Sequence, residues 1–167
     1  MSDRLAVYAG SFDPPTTGHL WMIRQGAALF DRLHVGLGVN PEKKSMFSVD
    51  ERLQMLREAT ADLPSVSVQP FTNQFLVRYA QSIGAQYILR GIRSAGDFEF
   101  ERTMRNINGD HAPQITTLFL MPPRELAEVS SSFVKGLVGP EGWEKLVQAY
   151  VPAPVFERIL RRRREQP

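Results

Sequence analysis

A segment near the start of the chain combines residue types that suit phosphate binding. Gly10 follows a short apolar run and permits a sharp turn. Pro14 and Pro15 disfavour helical backbone at the residues before them, so the next helix is predicted to begin at about Thr16. His19 then lies in the first helical turn, where unpaired backbone amides and the helix dipole attract anions. An imidazole N–H that points the same way would complete a phosphate site.

The neighbouring residues decide between two interpretations of this histidine. An isolated Gly-His pair is more typical of an ordinary helix start, in which the imidazole only fills space. Here Gly10, Ser11 and Asp13 accompany His19, so a turn, a hydroxyl and a carboxylate come with the ring. This combination favours the interpretation as a phosphate site.

The elements that position this segment follow from hydrophobic periodicity. Short apolar runs alternate with helical stretches, which predicts strand–helix–strand crossovers. The predicted fold class is therefore α/β, with a parallel sheet and helices on both faces. Arg90 follows three apolar residues at the carboxyl end of a predicted strand, where open α/β sheets bind ligands. The predicted strands cover residues 5–8, 33–39, 66–68, 87–89 and 115–121.

Caps and helix breakers set the predicted helix ends. Ser48 and Glu51 have the spacing of a capping box, and Leu63-Pro64 is expected to end the helix that they begin. A polar, charged helix is predicted from residue 97 to about residue 106. Three serines at 130–132 predict the capped start of another helix.

The composition excludes several classes of protein. The chain has 167 residues, of which 43% are hydrophobic, enough for one domain with its own core. It has no cysteine, which excludes disulfide scaffolds, cysteine-ligated metals and thiol catalysis. The histidines lack a metal-binding spacing, so no protein-held metal site is expected. These three histidines are His19, His34 and His111.

No repeat or linker divides the chain, so residues 1–167 are predicted to form a single domain. No apolar run approaches the roughly 20 residues that a membrane helix needs, and the start lacks a signal-peptide pattern. We therefore expect a cytoplasmic protein with no membrane partner.

The positive charge is concentrated in a helical tail that begins at about residue 152. The net charge is +2, and residues 157–165 hold five arginines against two glutamates, which leaves the remainder at −1. The arginine cluster at 161–164 is interpreted as part of a solvated or frayed helix end. A nucleic-acid partner is not expected.

The segment 8–19 resembles the [ST]-F-D-P-x-T-x-G-H signature of the bacterial phosphopantetheine adenylyltransferases, within the nucleotidylyltransferase superfamily. Thr16-Thr17-Gly18-His19 resembles its H-x-G-H-type motif, with Thr in the first histidine position. Further segments resemble the family's x-P-x-K-K, F-S-x-E-E-R, R-G-[LI]-R, D-F-E-[YF]-E, F-L-M-P and I-S-S-[ST]-x-[VI]-[KR] motifs. In chain order they are 40–44, 47–52, 89–93, 97–101, 119–122 and 129–135.

The resemblance implies a Rossmann-like fold and a defined activity. Members of this family transfer AMP from ATP to 4′-phosphopantetheine, giving dephospho-CoA and pyrophosphate. The acceptor phosphate is itself the nucleophile, so positioning and charge stabilisation carry the rate, and no catalytic triad is needed. The resemblance also implies Mg²⁺ bound to the polyphosphate, held mainly by substrate oxygens and water, and a homo-oligomer that is a hexamer in the family.

The resemblance assigns roles to individual residues. The implied catalytic residues are His19, Lys43 and Arg93. The implied contacts to the acceptor are Ser11, Lys43, Leu76 and Arg90. The implied contacts to the nucleotide are Ser11, Phe12, His19, Gly91, Ile92, Arg93, Glu101, Val129, Ser130, Ser131 and Ser132.

One departure from the family pattern keeps two alternatives open. Leu126-Ala127-Glu128 stands where the family has an aromatic residue, Ser or Arg, and an aromatic residue. Glu128 could repel a triphosphate, pair with Arg124 or bind a base amino group. One alternative is a related nucleotidylyltransferase that uses CTP or another small phosphate or phosphonate acceptor. The other is a nucleotide-binding regulator without turnover.

Overall fold

A computed structural model describes residues 3–40, 42, 44–72 and 74–165 of the chain. Within this part, five strands form one sheet in the order β3-β2-β1-β4-β5, and each neighbouring pair is parallel. This confirms the predicted α/β class. The strands are β1 (Leu5–Gly10), β2 (Arg32–Val39), β3 (Val66–Thr72), β4 (Tyr87–Gly91) and β5 (Thr116–Leu120).

Helices cover both faces of the sheet. They are α1 (Thr17–Leu29), α2 (Val49–Ala59), α3 (Leu76–Ser82), α4 (Ala95–His111), α5 (Ser131–Leu137), α6 (Trp143–Val147) and α7 (Ala153–Glu165). Apolar residues of α1 and α2 pack on one face, and those of α3 pack on the other. A third apolar cluster joins the last three helices to α2. No helix among the described residues is long and apolar enough to span a bilayer.

The strand order places a crevice beside β1. The chain proceeds from β1 outward to β2 and β3, and then returns to place β4 on the other side of β1. The connections after β1 and β4 therefore leave the sheet in opposite directions. Ligands of open α/β sheets bind at such a switch point, outside the carboxyl ends of the strands.

Local capping signals form as predicted. The Ser48 hydroxyl accepts a hydrogen bond from the Glu51 amide at 3.2 Å, and the Glu51 carboxylate accepts one from the Ser48 amide at 2.7 Å. Thr16 caps α1, which confirms that the helix begins directly after the two prolines. Both helix starts are decided by residues within four positions of each other, which is why the sequence predicts them.

Three predicted boundaries differ from the structure by four residues or more. The helix expected to run to Leu63-Pro64 ends at Ala59, because the next residue, Thr60, leaves the helical conformation with φ −118° and ψ 14°. The Thr60 hydroxyl donates to the Leu56 carbonyl at 2.8 Å. α4 spans 95–111 instead of 97 to about 106. β3 continues through Pro70, which an edge strand tolerates because no partner needs the missing N–H.

The C-terminal tail packs on the domain along one helical face, while Arg161, Arg163 and Arg164 are exposed, as expected for a solvated helix end. Val155 and Ile159 are fully buried on one face of α7, where they pack in the same cluster as Met55 of α2. Arg158 donates to the Glu58 carboxylate at 2.8 and 3.1 Å. The apolar residues are four positions apart, so they form a helical face that the run of arginines obscures.

We expect Ile159→Ala to destabilise the whole domain. The side chain is fully buried, and its truncation leaves a cavity that costs about 2–4 kcal/mol of unfolding free energy. Urea denaturation followed by circular dichroism measures this loss. Arg164→Ala, at an exposed position of the same helix, should change stability by less than about 0.5 kcal/mol. Equal midpoints for wild type and Ile159→Ala would show that the tail is not part of the cooperative fold.

Candidate active site

A polar cavity of about 290 Å³ opens at the carboxyl ends of β1 and β4. Its walls come from the β1–α1 turn, the first turn of α1, the end of β4 and the segment before α5. The predicted site residues that line it are Ser11, His19, Arg90, Gly91, Arg93, Glu101, Val129 and Ser130. Three stretches of the chain thus meet at the switch point of the sheet: β1 with the start of α1, the end of β4 with α4, and the segment before α5.

A second cavity of about 340 Å³ adjoins the first, and most of its wall surface is apolar, although polar side chains such as Asn108 and Thr117 also line it. It is lined by Phe71, Leu76, Phe100 and Met104, among others. The two cavities share part of their walls, namely Ala9, Gly10, Arg90 and Glu101. A ligand with a charged end and an apolar arm would therefore fit with its charge beside Arg90.

His19 is oriented by the residue that caps its helix. The Thr16 backbone N–H donates to Nδ1 of His19 at 3.0 Å, and the Thr16 hydroxyl lies 2.9 Å from the same nitrogen. Because a backbone N–H can only donate, Nδ1 must be the acceptor, and the neutral ring carries its proton on Nε2. Phe12 packs against the ring edge-to-face, with 5.0 Å between the ring centroids. The histidine therefore offers an N–H donor to the cavity.

The same surroundings keep this imidazole neutral. Burial, followed by the positive charge of Arg93, lowers the pKa of His19 from its usual 6.5 to about 4. At neutral pH the ring acts as a hydrogen-bond donor without a formal charge. Such a donor can stabilise negative charge that develops on a phosphoryl oxygen.

Arg90 and Glu101 form the central ion pair of the site. Nε of Arg90 donates to both carboxylate oxygens of Glu101 at 2.9 Å, and Nη2 pairs with Oε1. Nη1 donates to the Ala9 carbonyl at 3.1 Å. The Glu101 side chain is only 9% exposed, and the Arg90 side chain is 27% exposed. These contacts hold the guanidinium plane in one orientation between the two cavities.

Arg93 has a carboxylate partner of its own. Its Nε donates to Oδ2 of Asp97 at 3.0 Å, and its backbone N–H donates to the same oxygen at 3.1 Å. The Arg93 side chain is 40% exposed and borders the polar cavity. Asp97 thus orients a cation that remains accessible to an anionic ligand.

The three serines before α5 have different environments. The Ser130 hydroxyl accepts from the Phe133 amide at 3.1 Å, and the residue borders the polar cavity beside Val129. The Ser131 hydroxyl donates to the Pro14 carbonyl at 2.8 Å, which ties this segment to the β1–α1 turn. Ser132 is exposed. Of the three serines, the structure brings Ser130 to the cavity wall.

The remaining predicted residues lie at different distances from the polar cavity. Phe12 is fully buried beneath His19, and Ile92 is buried with its N–H donating to the Leu120 carbonyl at 2.9 Å. Leu76 is the first residue of α3 and borders the apolar cavity. Lys43 lies outside the described residues.

Sequence reasoning missed several residues of the polar cavity. Tyr8 precedes Gly10 by two residues, so period-2 alternation along β1 is the signal that could have found it. Met22 follows His19 by three residues and shares its helix face. Leu126 also borders the cavity, whereas Glu128 is exposed.

We expect Gly18→Ala to weaken binding of the nucleotide that the sequence resemblance implies, without unfolding the protein. A Cβ at Gly18 would lie 3.0 Å from the carbonyl oxygen of Val129, so the backbone of the cavity wall must shift. A displacement of this kind should raise the KM for the nucleotide about tenfold. Steady-state kinetics measure it, and Gly109→Ala is the matched control because a Cβ there meets nothing within 4 Å. An unchanged KM in Gly18→Ala would contradict the tight approach of the two segments.

Comparison with known structures identifies proteins that share this fold. The nicotinic acid mononucleotide adenylyltransferase of Plasmodium falciparum, solved with NaAD, superposes with a TM-score of 0.72 over 96% of each chain. The two sequences are 14% identical, so this likeness concerns the fold alone.

Sequence comparison identifies closer relatives. Residues 7–136 match the cytidylyltransferase-like family. The phosphopantetheine adenylyltransferase of Chromobacterium violaceum is 62% identical over 96% of this chain and 98% of its own length. The proteins of that name from Neisseria meningitidis serogroup C and Caldanaerobacter subterraneus are 60% and 41% identical, over 94% of this chain and 92% and 96% of their own. The chain therefore belongs to the cytidylyltransferase-like family and, within it, to the phosphopantetheine adenylyltransferases.

Proposed function

We propose that this protein transfers AMP from ATP to 4′-phosphopantetheine, releasing pyrophosphate and forming dephospho-CoA. The observation that carries the proposal is the junction of the two cavities at Arg90. The polar cavity suits a nucleoside triphosphate, and the apolar cavity suits the pantetheine arm of the acceptor. The phosphate end of that arm would lie beside the guanidinium, next to the triphosphate.

The proposed step is an in-line transfer of the adenylyl group. An oxygen of the acceptor phosphate attacks the α-phosphorus of ATP, and the bond from that phosphorus to the bridging oxygen of pyrophosphate breaks. Arg90 holds the acceptor dianion, which would otherwise be repelled by the triphosphate. The Nε2–H of His19 donates to an α-phosphoryl oxygen as negative charge builds there, and Arg93 neutralises charge on the same group. We assign Lys43 to the acceptor phosphate on the basis of its motif.

Mg²⁺ is part of the proposal as a complex with ATP, where it would neutralise charge on the polyphosphate. No group of three or more potential metal-ligating side chains occurs among the described residues. The two carboxylates of the polar cavity, Asp97 and Glu101, are both paired with arginines. This donor set fits an ion held by substrate oxygens and water. Removal of divalent cations by EDTA should abolish turnover, and added Mg²⁺ should restore it.

The test of the proposed reaction is pyrophosphate release by the purified protein with 4′-phosphopantetheine and Mg²⁺. ATP, CTP, GTP and UTP are supplied in parallel reactions. Turnover with ATP alone supports the proposal and identifies Leu126-Ala127-Glu128 as a tolerated variant of the nucleotide segment. Absence of turnover with all four nucleotides would refute it.

The closest competing function is the same chemistry with CTP. Leu126 borders the polar cavity without the aromatic residues usual in this part of the family, so contacts to the base differ here. In the same assay, faster turnover with CTP than with ATP would favour this alternative. Glu128→Gln is informative, because an exposed carboxylate that contacts a base amino group would change the ratio of the two rates.

We also propose that the protein assembles with further copies of itself through α4. Phe98, Phe100 and Ile107 on this helix are 45%, 61% and 42% exposed, and Met121 after β5 is 75% exposed. Large apolar side chains that are exposed to this extent are typical of an association surface. Ile107→Glu should lower the mass measured by light scattering, whereas Asn106→Glu, also exposed on α4, should leave it unchanged. A monomeric wild type would refute the proposal.

A further inference from the structure

Asp13 is a buried carboxylate that the proposed reaction does not use. It lies in the β1–α1 turn and is 5% exposed. Its Oδ2 accepts from the Met46 backbone N–H at 2.8 Å, and its Oδ1 accepts from the Phe47 backbone N–H at 2.9 Å. Lys135 of α5 donates to Oδ2 at 3.2 Å. One anion thus receives donors from two distant segments of the chain.

Each of these segments is close in sequence to a residue that is assigned to one substrate of the proposed reaction. Met46 follows Lys43 of the acceptor motif by three residues. Lys135 lies five residues after Ser130, which borders the polar cavity. The turn that carries Asp13 leads directly into α1 and His19. The Asp13 carboxylate therefore joins two segments beside His19. The acceptor segment is the one that contains Met46 and Phe47, and the nucleotide segment runs from residue 126 to Lys135.

The turn around Asp13 is held by further contacts. Arg52 is 4% exposed, and its Nη1 donates to the Ser11 carbonyl at 2.9 Å. The Ser131 hydroxyl donates to the Pro14 carbonyl at 2.8 Å. With the backbone fixed on either side, the carboxylate has a defined position to which the two segments are attached.

We propose that Asp13 and Lys135 are positioning residues that fix the relative positions of the nucleotide and acceptor segments around His19. The inference rests on the proposed adenylyl transfer. Asp13 holds the acceptor segment through two backbone amides, and Lys135 connects the nucleotide segment to the same carboxylate. Neither residue needs to touch a substrate. Buried charged groups with several hydrogen bonds specify one arrangement of the parts that they join.

The first variant is Lys135→Met, which removes the ammonium and keeps most of the apolar stem. Lys135 is 35% exposed, so the variant should fold. We expect the KM for the nucleotide to rise about tenfold and the KM for the acceptor to change less than about twofold, because Asp13 still binds both amides. Lys135→Arg should recover most of the loss. Lys145→Met, at an exposed position of α6, is the control.

The second variant, Asp13→Asn, replaces one acceptor oxygen with an NH₂ group that opposes a backbone N–H. We expect the KM for both substrates to rise and kcat to fall about 100-fold. In the double variant Asp13→Asn with Lys135→Met, the loss of kcat/KM should equal that of Asp13→Asn alone. The reason is that the lysine no longer has a carboxylate partner once Asp13 is replaced. Additive losses, or a Lys135→Met enzyme with wild-type KM values, would overturn the proposal.

Hydrogen exchange provides a readout that does not depend on turnover. The amides of Met46 and Phe47 should exchange at least tenfold faster in Asp13→Asn than in wild type, and at the wild-type rate in Lys145→Met. Unchanged exchange in Asp13→Asn would refute the anchoring. Suppose that the wild-type enzyme is inactive with all four nucleotides, but its Met46 and Phe47 amides still exchange more slowly than those of Asp13→Asn. This result would refute the proposed function and support the anchoring of the two amides by Asp13.

Discussion

Replacement of His19 by Ala is expected to lower kcat by about 10²–10³-fold, while the KM for ATP changes less than about threefold. In the proposed reaction the neutral ring donates from Nε2, and this hydrogen bond would strengthen only when negative charge builds on the α-phosphoryl oxygen. Its loss therefore acts on the transition state and hardly on the bound ground state. Steady-state rates of pyrophosphate release with saturating 4′-phosphopantetheine measure the change.

Two comparisons test this interpretation of His19. His19→Gln retains an N–H donor on a side chain of similar reach, so it should recover part of the lost rate. Thermal denaturation should show both variants folded at the assay temperature. A kcat for His19→Ala within fivefold of wild type would show that the imidazole only fills the helix start. It would also favour the non-catalytic alternative if the wild-type rate itself were negligible.

The low pKa of His19 also predicts how stability depends on pH. In the unfolded chain the imidazole titrates near 6.5, whereas in the folded protein its pKa is about 4. Between these values the unfolded state binds more protons, so the free energy of unfolding falls as the pH is lowered from 6.5 towards 4. Above pH 6.5 the imidazole is neutral in both the folded and the unfolded state, so its protonation no longer lowers the free energy of unfolding.

A second histidine adds to this loss of stability in acid. Burial lowers the pKa of His34, whose ring nitrogens lie 2.9 Å from the Ser67 hydroxyl and 2.6 Å from the Tyr79 hydroxyl. Urea denaturation at intervals between pH 7.5 and 4 should show a smaller decrease for His19→Gln than for wild type, with a residual decrease from His34. Identical slopes for the two proteins would contradict the low pKa of His19.

Arg90→Ala is the substitution with the largest expected combined effect. The change removes the cation between the two cavities and leaves the Glu101 carboxylate buried without its partner. An unpaired buried charge costs about 3 kcal/mol of unfolding free energy, and the lost phosphate contact adds a separate loss in the reaction. We expect kcat/KM for 4′-phosphopantetheine to fall by about 10³-fold or more, combining the lost charge-assisted bonds with the misplaced acceptor.

The two contributions of Arg90 can be separated. Adding Glu101→Gln to Arg90→Ala removes the stranded charge, so the double variant should regain stability while its kcat/KM stays low. Arg90→Lys keeps the charge without the planar pair of donors and should recover only part of the activity. Full activity in the stabilised double variant would show that Arg90 acts on the fold and not on the acceptor.

The motifs and the fold class could be predicted because they depend on local signals. The prolines and Thr16 place His19 in the first turn of α1, and the pair Ser48 and Glu51 starts α2, as the structure confirms. Each decision involves residues within a few positions of each other. The alternation of strands and helices likewise predicts the parallel sheet, and with it the carboxyl-end edge where the site lies.

Contacts between distant residues were decided by the tertiary structure alone. The motifs named Arg90 and Glu101 as separate ligand contacts, yet the fold makes them partners across 11 residues. Asp13 meets Lys135 across 122 residues, a contact that no periodicity encodes. The packing of the apolar face of α7 on α2 is visible only in the tertiary structure, where Ile159 and Met55 belong to one apolar cluster.

The physical reason for this division is the range over which each interaction acts. Helix caps, proline restrictions and apolar periodicity change the local conformational free energy of a few consecutive residues, so they can be read along the chain. Ion pairs such as Arg90 with Glu101 gain their strength from burial, which exists only after the sheet and helices have packed. The sequence therefore determined the fold class and the residue types of the site, and the tertiary structure decided which of those residues contact one another.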